Sequence, residues 1–148
     1  IVGFPGETDE NYQTLERFIE AEEFDNVVCF TYEREPETAS YAMTPRVPIN
    51  TRRSRRSRLL ALQQRISREK LARRIGEKVT VMIDGPAGRG QWAARTAGSA
   101  FEVDGGVVVE GEHLIPGQLV PVRITGAAAY DLFARVEEAS EPGLEILS

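Results

Sequence analysis

Apolar positions fall into three regimes along the 148 residues. The first resembles a strand–helix–strand unit. Residues 1–4, IVGF, and 26–32, NVVCFTY, are short runs of β-branched and aromatic residues, as buried strands are. Between them Tyr12, Leu15, Phe18 and Ile19 recur at helical spacing. A Pro5-Gly6 turn precedes that helix, Thr8 is placed to cap it, and Asp9 and Glu10 fall in its first turn, where carboxylates suit the dipole. Strand, turn, helix, strand is a βαβ unit and predicts two parallel strands. Two such strands cannot bury both faces of a sheet, so the unit needs further strands and has exposed edges. Residues 33–50 hold three prolines and no period, and read as a loop leaving the carboxyl end of the second strand, where ligand sites of open α/β sheets collect.

The second regime, residues 51–75, contains no Pro or Gly and predicts one helix about 37 Å long at 1.5 Å per residue. Leu59, Leu60, Leu62 and Ile66 share a face, with Arg58, Arg65 and Arg68 opposite. Thr51 is expected as its N-cap and Gly76 as its C′ glycine. The third regime alternates with period two. Strands are predicted over residues 78–84, 91–96, 101–103, 107–110, 119–125 and 131–138, with Val79, Val81 and Ile83 on one side of the first. Glycine turns at 84–86, 88–90 and 104–106 separate them, which predicts a small closed antiparallel barrel of the OB-like kind. The fold class is therefore α+β overall: a truncated α/β unit over residues 1–50, a basic linker helix over 51–75, a β-barrel over 76–139 and a tail over 140–148.

Charge sharpens this division. Residues 51–75 carry ten Lys or Arg against the single acid Glu69, whereas residues 1–50 have a net charge of −8 and residues 76–148 one of −6. Arg52, Arg53, Arg55 and Arg56 make the start of the rod basic nearly all round, which marks them as candidate RNA or substrate contacts. The competing reading is an exposed connector whose arginines pair with the acidic pieces on either side. The barrel has four aromatics (Trp92, Phe101, Tyr130 and Phe133), and Arg89, Arg95, Arg123 and Arg135 to place on one face. Phosphate contacts dominate nucleic-acid affinity, so a module of net charge −6 suits a basic protein partner better than RNA.

One Cys and one His exclude a disulfide framework and a zinc or iron–sulfur site made by this chain alone. No apolar run reaches membrane-spanning length, and no basic region opens a secretory signal, which together predict a cytoplasmic protein without a membrane partner. The first residues already read as strand with no initiator Met, so the chain is expected to begin inside a domain. The GFPGET turn opens a helix as phosphate loops do, but it lacks the Lys and further glycines of the Walker pattern and reads as structural. Glu33, Glu35 and Glu37 have no His partners and read as solvated. Cys29 reads as a buried small hydrophobe, and His113 as a surface residue.

In order, IVGFPGET, VCFTYEREPETA, RLLALQQRIS, IGEKVTVMIDG and the short barrel resemble the carboxyl-terminal part of the radical S-adenosylmethionine methylthiotransferases, with a barrel like that family's TRAM module. Val103-Asp104-Gly105 and Tyr130-Asp131-Leu132 are most similar to the branch that modifies a ribosomal protein. The resemblance implies a parent enzyme that inserts a methylthio group on the β-carbon of an aspartate in a basic small-subunit ribosomal protein. It implies S-adenosylmethionine and two 4Fe-4S clusters as cofactors, and TRAM recognition of substrate with ribosomal or transfer RNA as a further contact. With Cys29 alone, this chain cannot build either cluster and would be inactive without an amino-terminal part. Ile1, Gly3, Pro5, Gly6, Glu7, Tyr32 and Glu35 are implied on the cofactor side, and Arg52, Arg53, Arg55, Arg56, Arg95 and Arg123 as substrate or RNA contacts. Glu33 and Glu37 depart from the family's Ser and Gly, and residues 99–105 lack its first acid and Pro. The alternatives are the tail of a transfer-RNA methylthiotransferase and a non-catalytic RNA-binding protein.

Overall fold

The computed structural model describes residues 1–96 and 105–137. The chain forms two compact units, Ile1–Arg73 and Arg74–Ser148. The first contains helix α1 (Asp9–Glu22), a single 3-10 turn (Ala39–Ala42) and helix α2 (Ile49–Ala72). Thr8 caps α1 as the sequence predicts. Its hydroxyl accepts from the Asn11 N–H at 3.1 Å, while Asn11 Oδ1 accepts from the Thr8 N–H at 3.0 Å, a reciprocal capping box. Val2, Tyr12, Ile19, Cys29, Leu59 and Ile66 form one core, with Leu60 and Leu62 packed against it. The leucine face of α2 thus packs on α1 and on the two apolar segments. Gln63, which the apolar pattern passed over, is completely buried on that face and donates from Nε2 to the Phe24 carbonyl at 2.9 Å. Phe18 belongs to the predicted apolar face of α1 but stays 52% exposed beside Phe24.

Several expectations for this unit are corrected. The two predicted strands are not strands. They share one isolated parallel bridge, Val2 with Thr31, in which Val2 N–H donates to Phe30 O at 2.9 Å and Tyr32 N–H to Val2 O at 2.8 Å. The direction is parallel as expected, but the truncated α/β unit is not formed as a sheet. Parallel ladders are stable with both faces covered, and here Val28 and Phe30 face solvent at 68% and 63% exposure. Helix α2 starts at Ile49, two residues before the expected Thr51 cap. Pro48 takes the N-cap position without a side-chain cap, and its carbonyl accepts from the Arg52 N–H at 3.0 Å. At the other end the helix stops at Ala72 with Arg73 as C-cap. Gly76 does take the left-handed conformation, at φ 94°, but its N–H serves the second unit by donating to Ile124 O at 2.8 Å.

The second unit is a closed five-stranded barrel of β1 (Lys78–Gly88), β2 (Gln91–Thr96), β3 (Val107–Glu110), β4 (Leu119–Ala127) and β5 (Leu132–Val136), in the order β1-β2-β3-β5-β4. The antiparallel expectation holds for every pair but one: β3 and β5 run parallel. β1 continues through the expected Asp84-Gly85-Pro86 turn by means of register shifts at Ile83/Gly85 and Pro86/Gly88, which let one strand bend round the barrel wall. The predicted strand at 101–103 and the tail lie outside the described residues. Alternating residues fill the core: Val81 and Ile83 from β1, Val107 and Val109 from β3, Val120, Val122 and Ile124 from β4, Leu132 and Ala134 from β5.

Glu137 clamps the barrel just past β5. Its carboxylate pairs with Lys78 Nζ at 2.7 Å and accepts from Arg123 Nη2. The hydrogen bond from Lys78, then that from Arg123, holds this carboxyl below its ordinary range. A depressed carboxyl adds stability that is present above the unfolded glutamate pKa of about 4.3 and lost as pH falls through its lower folded value. In acid titrations followed by Trp92 fluorescence, Glu137→Gln should therefore flatten the barrel's loss of stability below that range and leave its stability least changed at the acid extreme. An acid limb identical to that of the native chain would show the clamp to be energetically silent.

Candidate functional site

The turn that links the first apolar segment to α1 is the most elaborately bonded stretch of the first unit. Gly3 takes φ 81° and Gly6 φ 86°, conformations that favour glycine. Gly3 N–H donates to Glu7 Oε2 at 2.9 Å, and Gly6 N–H donates to the Pro45 carbonyl at 2.8 Å. Glu7 Oε1 receives Arg55 Nη1, and Arg55 Nη2 reaches Asp9 Oδ1 at 2.7 Å. Burial opposes the charge on Arg55, but its hydrogen bonds to Asp9 and Glu7 outweigh it and hold the guanidinium above its ordinary value. Arg52 lies against Gly3 so closely that a Cβ there would fall 2.0 Å from Arg52 Cγ. Its Nη1 donates to the Tyr32 carbonyl, while its Nε is buried with no partner.

Two recesses flank this turn. The larger, about 300 Å³, is lined by Glu7, Asp9, Arg46, Thr51 and Arg55 among others. The smaller, about 50 Å³, is lined by Gly3, Pro5, Tyr32, Arg34, Tyr41, Arg46 and Arg52 among others. Tyr32 donates to Ser40 Oγ at 2.9 Å and meets the Phe4 ring edge-on at 5.2 Å. The structure therefore brings Gly3, Pro5 and Tyr32 together at the smaller recess and places Glu7 at the larger. Gly6 forms the turn, whereas Ile1 and Glu35 are exposed and line neither recess. Residues 40–47 were legible only as a loop. Arg34, Tyr41 and Arg46 were missed as pocket residues because no period or motif marks them; the Pro45-Arg46-Val47-Pro48 run, which pins the chain over the Gly6 turn, was the one signal available.

The predicted arginine contacts have separate settings. Arg55 is almost wholly buried in its ion pairs, and Arg56 Nε donates to the Cys29 carbonyl at 2.9 Å. Arg53 is exposed. Farther along α2, Arg58 pairs with Glu16, Arg65 with Glu20, Lys70 with Asp25 and Arg73 with Glu23, so much of the rod's charge is met by acids of the first unit. On the barrel, Arg95 pairs with Asp84 at 3.3 Å and faces Met82, while Arg123 donates to Gly76 O at 3.0 Å and to Glu137. Because Met82 and Lys78 sit at opposite ends of the β1–β4 ladder, Arg95 and Arg123 are not neighbours.

The barrel's glycine turn and its Tyr-Asp-Leu run, far apart in sequence, meet in space. Gly106 N–H donates to Asp131 Oδ1 at 3.1 Å, and Leu132 N–H donates to Gly106 O at 3.0 Å. A Cβ on Gly105 would stand 1.4 Å from the Tyr130 carbonyl oxygen. This contact opens the parallel β3–β5 ladder, whose first register pair is Val107 with Leu132. Asp104 and Val103 of the motif lie outside the described residues.

Residues 75–136, the span of this barrel, match the TRAM domain family. The barrel is a TRAM domain. Proteins named ribosomal protein uS12 methylthiotransferase RimO match over more than nine tenths of the chain. The Synechococcus sp. (strain JA-3-3Ab) protein is 43% identical over 140 residues, 94% of this chain and 30% of the relative. The Alkalilimnicola ehrlichii protein is 44% identical over 137 residues, 92% of this chain and 31% of the relative. The Sorangium cellulosum protein is 39% identical over 145 residues, 97% of this chain and 30% of the relative. The chain thus spans about 30% of the length of the curated relatives it matches. The methylthiotransferase resemblance read from the motifs stands, and the Gly105–Tyr130 contact gives two of those motifs a structural meaning inside the TRAM domain. Among the described residues no helix is long and apolar enough to cross a membrane, and no group of three or more His, Cys, Asp or Glu is placed to hold a metal ion.

Proposed function

We propose that this chain is the carboxyl-terminal portion of a radical S-adenosylmethionine methylthiotransferase whose substrate is an aspartate of the small-subunit ribosomal protein uS12. In this reading, residues 1–50 complete the catalytic domain, α2 is the strut after it, and the TRAM domain engages substrate. The observation that carries it is collinear identity of about two residues in five, over more than nine tenths of the chain, with relatives named for that reaction. The turn residues Gly3, Pro5, Glu7 and Tyr32 then border the cofactor side.

The two implied 4Fe-4S clusters need more cysteines than this chain's one, Cys29. Cys29 is buried in the core, and burial pushes its thiol up, the reverse of what an iron ligand needs. It does not fit a cluster. Electrostatic selection of a basic substrate is likewise localised. Of the eleven acids in residues 76–148, Glu102, Asp104, Glu138, Glu141 and Glu145 lie outside the described residues. The described part of the second unit is balanced, with six acids against six basic residues including Arg74. The surplus that would attract a basic protein therefore belongs to the segments at 97–104 and 138–148 rather than to the strands.

The test is binding of this chain to purified uS12 and to unmodified transfer RNA, each followed by fluorescence anisotropy at physiological salt. Saturable binding to uS12 that weakens at higher salt is expected, with transfer RNA bound more weakly. The reverse order, with a steep salt slope abolished by changing Arg52, Arg53 and Arg56 to Gln, would replace this reading with an RNA-directed one.

A further inference from the structure

The smaller recess of the first unit has a chemistry that the rest of that unit lacks. Elsewhere in the unit, the cations of α2 that line the helix pair are met by carboxylates: Arg55 by Glu7 and Asp9, Arg58 by Glu16, Arg65 by Glu20, Lys70 by Asp25. At the recess three arginines converge, and no carboxylate lines it. Arg34 spends only its Nε, on the Tyr41 carbonyl at 2.9 Å, and its guanidinium lies 3.5 Å over the Tyr41 ring. Arg52 spends Nη1 on the Tyr32 carbonyl, and its Nε is buried without a partner. Arg46 makes no hydrogen bond or ion pair among the described residues.

We propose that this recess is a binding site for a single oxyanion group, a carboxylate or a phosphate, gripped by Arg46 and Arg52 with Arg34 at its rim. Three like charges on one small wall repel one another, and a bound anion turns that repulsion into attraction. Guanidinium forks match the paired oxygens of either group and form the stronger, charge-assisted class of hydrogen bond. Arg52 Nη2 and the guanidinium of Arg46 make no hydrogen bond among the described residues and are donors that an anion would satisfy. Size sets the limit: about 50 Å³ admits one such group and not a nucleotide. Two features hold the site open. Gly3 leaves room for the Arg52 stem where any side chain would collide with it, and stacking on Tyr41 keeps Arg34 from folding across the mouth. The inference rests on the recess alone and survives if the methylthiotransferase reading fails.

The test is a titration of the chain with sodium acetate and, separately, with inorganic phosphate, reading the arginine Nε–H signals by nuclear magnetic resonance against sodium chloride at matched ionic strength. Saturable shifts confined to Arg34, Arg46 and Arg52 are expected with at least one ion, and the ion that acts identifies carboxylate or phosphate as the ligand class. Arg46→Gln, which removes no hydrogen bond or ion pair among the described residues, should weaken that binding about tenfold, since one charge-assisted contact is lost. Arg53→Gln should leave it unchanged. Shifts that chloride reproduces, no saturable shift with either ion, or equal affinity in Arg46→Gln and the native chain would each overturn the proposal.

Discussion

Gly105→Ala is expected to destabilise the TRAM domain by about 3–5 kcal/mol, a large share of the roughly 5–15 kcal/mol that holds a typical domain folded. The added carbon would lie 1.4 Å from the Tyr130 carbonyl oxygen and 2.4 Å from the carbonyl carbon, both main-chain atoms with no rotamer to escape into. Relief requires the two chains to part. Parting them stretches the Leu132 N–H to Gly106 O bond of 3.0 Å and the Gly106 N–H to Asp131 Oδ1 bond of 3.1 Å, which together begin the parallel ladder. Urea unfolding followed by fluorescence of Trp92, the one tryptophan, reports on this unit alone. Gly85→Ala is the control, because a Cβ at Gly85 meets nothing within 4 Å. If both variants unfolded at the same urea concentration as the native chain, the close approach would not be a constraint on stability.

Arg55→Met should lower the stability of the first unit by about 3 kcal/mol, the low end for breaking a buried ion pair by removing one partner. The cost comes from the carboxylate left behind. The Glu7 side chain is 13% exposed and would lose its cation, whereas Asp9, at 87%, returns to water at little cost. Glu7 also holds the Gly3 N–H, so an uncompensated charge there loosens the turn that frames both recesses. Adding Glu7→Gln to Arg55→Met removes the stranded charge and should recover most of the loss. Both helices belong to this unit, so thermal unfolding by helical circular dichroism reads it directly. A loss below about 1 kcal/mol, the range of exposed pairs, would show that Glu7 is not isolated from solvent.

Legibility in the sequence followed the range of the forces involved. The Thr8 cap and the boundaries of β2 and β3 depend on neighbours a few residues away, and local pattern found them. The α2 start was misplaced because Thr51 is a good cap by type, yet Pro48 fixes the chain earlier through a backbone bond that any residue type can make. The two apolar runs of the first unit read as strands because their composition suits a covered sheet; what a strand requires beyond composition is a ladder of successive pairs with a neighbour, and the described chain offers one bridge. The parallel β3–β5 pair escaped for the opposite reason. Alternation fixes which face a residue takes but not the direction of its neighbour. Arg46 and Tyr41 reach the small recess through loop geometry, which leaves no period to read.

The position of β5 in the barrel also sets when the barrel comes into being. Both of its neighbours, β3 and β4, precede it in the chain, so while the polypeptide is being made they emerge first, each with a row of main-chain donors and acceptors unanswered along one edge. Five residues, Leu132–Val136, answer both rows at once. Assembly of this unit is therefore a latch that closes last. Until it closes, the nascent chain presents two adhesive edges to whatever strand is nearest, and the interval between the synthesis of β4 and that of β5 is its period of greatest exposure to misassembly.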